Sequence, residues 1–161
     1  MKLLAAFFFL SVSTLLTAQS KKELKDAGVA SRIENTSKLE KKSIVNFIES
    51  TEKYDANGNK TEAIEYKSDG DIKNYDQFEY NDKGKLVKET HIDPLSKKPK
   101  ETIEYTYGED DKLIKEVYYN KKNELTKTVD YKYENKLKIE KKTTNSSGKV
   151  IETKTYTYQK K

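Results

Sequence analysis

The chain has 161 residues, 37% of them charged, with 32 basic and 27 acidic side chains, one histidine and no cysteine. That length bounds one domain's worth of protein; the missing cysteine excludes disulfide staples, thiol catalysis and a lipid-bearing cysteine, and the lone histidine excludes cysteine–histidine dyads and multi-histidine metal centres. Lys and Glu are interspersed along every segment, so the net charge of +5 describes a mixed solvated surface and not a nucleic-acid-binding face.

Residues 1–20 read as a secretory signal peptide, with Lys2 at the start, an apolar run from Leu3 to Leu10 and smaller residues from Ser11 to Ala18. Cleavage falls after Ala18 or after Ser20. The run is too short, and too directly followed by Lys21 and Lys22, for a membrane span. The expected product is an exported bacterial protein of the periplasm or the medium, without a lipid anchor or a remaining membrane span. Cleavage removes only Lys2 among charged residues, leaving 31 basic against 27 acidic, net +4. From residue 21 onward, Leu, Ile, Val and Phe number 25 of 141, about 18%, which borders the disordered range below roughly 20%. The small net charge, and tyrosines in register with the aliphatics, favour an ordered chain with a thin core.

Residues 21–43 spread Leu24, Ala27, Val29, Ala30, Ile33 and Leu39 thinly, and Gly28 interrupts the one helical face they approximate. A short weak helix or a flexible polar leader is expected there. From Ser43 the apolar period becomes two. The segments 44–54, 61–67, 72–80, 85–92, 101–107, 112–119, 125–133, 136–143 and 149–158 are rich in Ile, Val, Thr and Tyr and are separated by short Gly, Asn, Asp, Ser or Lys stretches. These predict an all-β repeat domain over 44–161, an antiparallel meander of about nine strands forming an open twisted sheet or a half-barrel. Within 125–133, Leu125, Val129, Tyr131 and Tyr133 share one side; within 112–119, Leu113, Val117 and Tyr119 oppose Lys112, Glu116 and Tyr118. Each strand therefore reads as having one mainly apolar face, the other being Thr, Lys and Glu suited to cross-strand ion pairs.

Aromatic anchors define an internal repeat. Tyr54, Tyr80, Tyr107, Tyr133 and Tyr158 are 26, 27, 26 and 25 residues apart, and the last four have an aromatic two positions earlier: Phe78, Tyr105, Tyr131 and Tyr156. One hairpin per repeat follows. Asp55-Ala56-Asn57-Gly58 and Asn81-Asp82-Lys83-Gly84 suit a type I turn whose last position takes positive φ on glycine. Gly108-Glu109-Asp110-Asp111 and Glu134-Asn135 lack that glycine, so different turns are expected. The connection Pro94 to Pro99 is the longest and suits a contact loop.

On these residues the chain resembles the tyrosine/aspartate (YD) repeats of the Rhs family: Tyr54-Asp55 with Gly58, Phe78-Glu79-Tyr80 with Asp82, Gly84 and Leu86, Tyr105-Thr106-Tyr107 with Leu113, and Tyr131-Lys132-Tyr133 with Leu137. The likeness covers residues 44–158. It implies an exported or surface-associated β array, a class often described as carbohydrate-binding. Asp follows the anchor directly only at Tyr54, and so few repeats imply neither a shell nor a toxin cargo. In composition the chain also resembles the Lys/Glu-rich free-standing sheets of spirochaetal outer-surface lipoproteins, without their lipid-bearing cysteine.

No residue constellation demands catalysis, a cofactor or a metal. His91 faces away from Leu86 and Ile92 and is expected to be solvent-exposed. Glycoside hydrolysis needs two carboxyl groups roughly 5–10 Å apart, one with its pKa raised by burial; the Glu residues here sit among lysines on a polar face. Asp55-x-Asn57-x-Asn59 is like the start of a calcium loop, but the glycine falls two positions early and the twelfth position is Tyr66, so a turn explains it. What remains is the tyrosine ladder. Tyrosine combines a large apolar ring with a wet hydroxyl, suiting it first to sealing a thin sheet, since the anchors fall where each strand needs its apolar face, and also to stacking on sugars. The candidate ligand-binding residues are Tyr54, Phe78, Tyr80, Tyr105, Tyr107, Tyr131, Tyr133, Tyr156 and Tyr158. The leading expectation is an exported, non-enzymatic module binding an envelope component or polysaccharide through that face. The alternative is a structural or assembly protein that pairs with a protein partner, or with itself, through the sheet face or edges; the last strand is guarded only by Lys149, Glu152 and Lys154.

Overall fold

The structure is a computed structural model that describes residues 20–159; apart from Ser20, the signal-peptide reading lies outside these residues. A short helix, α1 (Lys21–Asp26), opens the described chain. Ser20 caps it: its hydroxyl accepts from the Glu23 N–H while the Glu23 carboxylate accepts from the Ser20 N–H at 2.7 Å, a reciprocal capping box. Gly28 ends it at φ +64°, with Val29 N–H donating to Leu24 C=O and Gly28 N–H to Lys25 C=O, the Schellman arrangement.

Ten strands follow: β1 (Ser31–Glu40), β2 (Ser43–Tyr54), β3 (Lys60–Tyr66), β4 (Ile72–Tyr80), β5 (Leu86–Ile92), β6 (Pro99–Tyr107), β7 (Leu113–Asn120), β8 (Leu125–Glu134), β9 (Leu137–Asn145) and β10 (Val150–Thr155). They form a single open antiparallel sheet in sequence order, the predicted meander with one strand more. The additional strand corrects the expected leader or weak helix over 21–43, which holds only for α1. In β1 only Ile33 and Leu39 are large and apolar, too few to print a period of two; the strand exists because β2 supplies its ladder from Ser31↔Lys53 to Glu40↔Ser43. Since β3 pairs with β2 only over Ser50–Tyr54, the β1–β2 hairpin projects past it as a two-stranded ribbon.

The turns are more uniform than expected. In those starting at Asp55, Lys67, Asn81, Gly108, Asn120 and Asn145, the carbonyl of the first residue accepts from the fourth N–H, and the first N–H donates to the fifth carbonyl. The fourth residue is left-handed in each: Gly58, Gly70, Gly84, Asp111 (φ 61°), Asn123 (φ 61°) and Gly148. The expectation that the turn at Gly108 must differ is therefore corrected, because Asp and Asn tolerate this conformation through local hydrogen bonding. The turn after Glu134 does differ: Asn135 and Lys136 are both at positive φ, as a two-residue type I′ hairpin requires. Lys41 and Lys42 do the same between β1 and β2.

Every hairpin built on this turn pattern carries a register shift. Between β2 and β3 it skips Thr61, between β4 and β5 Val87, and between β6 and β7 Ile114; the type I′ hairpin β8–β9 skips Ile139 at the corresponding place. Each of these bulges lies opposite an anchor tyrosine. Directly opposed residues share a face, so register assigns the faces. One face carries Phe78, Tyr105, Tyr118 and Tyr131 with Ile103 and Val129; the other carries Ile64, Tyr75, Val117 and Tyr119 among Thr90, Thr102 and Thr128. In β7 the expected alternation holds from Glu116 onward, with Glu116 and Tyr118 on the tyrosine face and Val117 and Tyr119 on the other, but the bulge at Ile114 moves Leu113, expected beside Val117 and Tyr119, to the tyrosine face opposite Tyr107. The second face is laced by ion pairs such as Lys88–Glu79 (2.8 Å) and Lys132–Glu140 (3.0 Å). The core is as thin as the composition implies: among the described residues Leu24, Ile92, Ile103 and Val129 are the buried apolar ones.

Candidate functional site: the tyrosine face

Four anchor tyrosines use their hydroxyls in the same way. Tyr80 donates to the Lys60 carbonyl (2.9 Å), Tyr107 to Leu86 (2.9 Å), Tyr133 to Leu113 (3.0 Å) and Tyr158 to Lys138 (2.7 Å). Each acceptor immediately precedes the skipped residue of a bulge. A bulge disrupts the ladder locally and leaves backbone groups short of partners. The hydroxyl supplies the donor, stitching the first strand of one repeat to the return strand of the one before. Tyr54 has no earlier repeat behind it, and its hydroxyl bonds Glu52 on its own strand instead.

The aromatics two positions earlier follow a second rule. Tyr105 donates to Glu89 (2.7 Å) and Tyr131 to Glu116 (2.8 Å); Glu116 also accepts from Tyr118 (2.7 Å). Register places Ala63 where the other repeats have Glu89 and Glu116, and Lys141 at the last such position. Phe78, which has no hydroxyl, falls in the repeat that offers Ala63 and no acceptor. Tyr156, facing Lys141 and not a carboxylate, is exposed.

Ring faces are also occupied. Lys127 Nζ lies 4.0 Å from the Tyr118 ring centroid, Lys138 4.7 Å from Tyr131, Lys112 4.9 Å from Tyr133 and Lys85 5.7 Å from Tyr107, in the range of cation–π attraction. Of the nine predicted ligand-binding aromatics, only Tyr156 and Tyr158 are exposed; the other seven are half-buried.

His91, expected in solvent, is half-buried. Its Nδ1 is 2.6 Å from Asp76, and its Nε2 lies 3.8 Å from Glu89 and 3.7 Å from Glu101. These three carboxylates come from β4, β5 and β6, and only register brings them together. Among the described residues no cluster of three or more His, Cys, Asp and Glu side chains is arranged to hold a metal ion.

Burial and its carboxylate partner push Tyr54 up to about 12. Burial first, then the hydrogen bonds to Glu89 and Glu116, raise Tyr105, Tyr118 and Tyr131 well above the usual phenol range. The unfolded chain therefore loses these protons first, and the stability they contribute is complete below the ordinary phenol pKa of about 10 and is lost as pH climbs beyond it. Tyrosinate absorbance at 295 nm should rise together with loss of the β-sheet circular dichroism signal at alkaline pH. Full ionisation of all tyrosines near pH 10 in the folded protein would refute the arrangement.

No protein-family model matches the chain, and no curated protein matches it at significant similarity.

Proposed function

We propose that this protein is an exported, non-enzymatic structural or assembly module that pairs with protein through the edges of its sheet. One observation carries the reading: among the described residues, eight of the twelve exposed large hydrophobics lie at the two ends of the sheet, Ile33, Leu39, Ile44 and Ile48 on the first hairpin and Val150, Ile151, Tyr156 and Tyr158 at the other end. Exposed apolar groups gathered at unpaired edges, and not scattered, mark interaction surfaces. The middle of the tyrosine face, by contrast, has its hydroxyls bonded and the Tyr107, Tyr118, Tyr131 and Tyr133 rings covered by lysine. Cross-linking of the lysines in the cell that makes the protein tests the reading. Links to polypeptide should concentrate on Lys38, Lys41, Lys42, Lys149 and Lys154; links confined to mid-sheet lysines such as Lys88 and Lys115 would overturn it.

The YD-like spacing and the exposure of Tyr156 and Tyr158 support a second reading, stacking on an envelope or extracellular polysaccharide at the C-terminal end of the ladder. Retention on insoluble polysaccharide, abolished by Y156A, would favour it over edge pairing.

A further inference from the structure

We infer that β1 is a self-pairing edge, taking as its partner β1 of a second copy of this chain about a two-fold axis beside Thr36. The inference rests on the assembly reading and assigns its partner and register. The two edges of the sheet are not alike. β10 is six residues long and bulged between Val150 and Glu152, both devices that blunt an edge. β1 runs ten residues without Gly or Pro, and the irregularity beside it belongs to β2, where Glu49 is skipped.

A two-fold axis perpendicular to the sheet sets β1 antiparallel to its copy and keeps corresponding faces together. Centred on Thr36, that register is complementary to itself. Arg32 meets Glu40 of the second copy, Glu34 meets Lys38, Asn35 meets Ser37 and Ile33 meets Leu39, each pair occurring twice. The four charged positions are even-numbered and lie on the tyrosine face, since Arg32 opposes Glu52 and Glu34 opposes Ser50. Ile33 and Leu39 lie on the other, at 58% and 71% exposure. Pairing thus sets every charge opposite its counter-charge and covers the two most apolar side chains of the strand, each of which favours an antiparallel pair. The backbone agrees. Tyr54 N–H donates to the Ala30 carbonyl, so the even positions of β1 turn their peptide groups toward β2 and the odd ones outward. Asn35–Ser37 and Ile33–Leu39 would then be the hydrogen-bonded pairs, and Thr36–Thr36 a close non-hydrogen-bonded pair with Cα atoms about 4.5 Å apart.

Because the chain has no cysteine, disulfide trapping reads the register directly. Under mild oxidation of the full chain, T36C should form a covalent dimer, its two thiols lying within the Cα separation of roughly 4.4–6.8 Å that a disulfide needs. S37C should not, because position 37 faces 35 and its own copy lies beyond about 7 Å. Light scattering should give the unmodified protein twice the mass of the chain. I33K/L39K, which opposes like charges twice, should weaken the dimer about tenfold or more, whereas I33K/L39E should retain it. Both positions are exposed, so neither variant disturbs the fold. A monomer at all concentrations, trapping of S37C as fast as T36C, or equal loss in both double variants would overturn the pairing. Edge cross-links to another protein alongside a monomeric chain would sink this inference and leave the assembly reading standing.

Discussion

Truncation of Ile103 to Ala is expected to lower the free energy of unfolding by about 2–4 kcal/mol, the usual range for a buried Ile or Leu, and Val129→Ala somewhat less. Ile103 sits between Glu89 and Tyr118, and Val129, at 3% exposure, between Glu116 and Thr143. A domain of this size holds a net stability of only about 5–15 kcal/mol, and here few apolar side chains are buried, so either change removes a large share. Each also loosens the phenols around it, whose hydroxyls converge on Glu89 and Glu116. Ile151→Ala, at the exposed end of the sheet, should cost well under about 1 kcal/mol, as ordinary surface changes do. Urea unfolding followed by circular dichroism measures all three; equal costs at Ile103 and Ile151 would show that the thin core is not what stabilises the sheet.

Gly58→Ala should be far more costly than the chemically identical Gly70→Ala. Both glycines are left-handed, at φ +73° and +89°, so each substitution carries about 1–2 kcal/mol of backbone strain. At Gly70 nothing lies within 4 Å of the added methyl. At Gly58 that methyl would clash with the Lys21 carbonyl oxygen and stand 3.1 Å from the Lys25 N and 3.3 Å from its Cβ. The obstacle is helix backbone, so α1 must leave and expose Leu24, adding about 1.5–3 kcal/mol. The expected signature is loss of amide-exchange protection at Leu24 in G58A alone. Equal destabilisation of the two variants, with protection at Leu24 intact, would mean that α1 is not docked on the turn.

Local rules made much of the fold legible. The strands from Ser43 onward show a period of two, Asn-x-x-Gly and Asp-x-x-Gly runs mark hairpins, and five tyrosines at a near-constant step mark the repeat. What escaped has a physical cause in each case. β1 is polar because it is an edge with both faces wet, and a strand that buries little prints little periodicity. Asp111 and Asn123 stand in for glycine because a short polar side chain tolerates positive φ, which the absence of Gly conceals. His91 is out of bulk solvent because Asp76 and Glu101 arrive from the two neighbouring strands to join Glu89 of its own.

By itself, the order of residues determined an antiparallel all-β meander with one hairpin per repeat, because alternation and turn chemistry act over a few neighbouring residues. Only the assembled sheet decided what the tyrosines do. Each bulge shifts the phase of its strand and so reassigns faces, and it frees a carbonyl that an anchor hydroxyl 20 or 21 residues away then meets. That partnership depends on the register between strands, which no local pattern encodes. The same holds for the edge: β1 became a candidate interface only once the sheet proved open, with the ladder of its first strand turned outward.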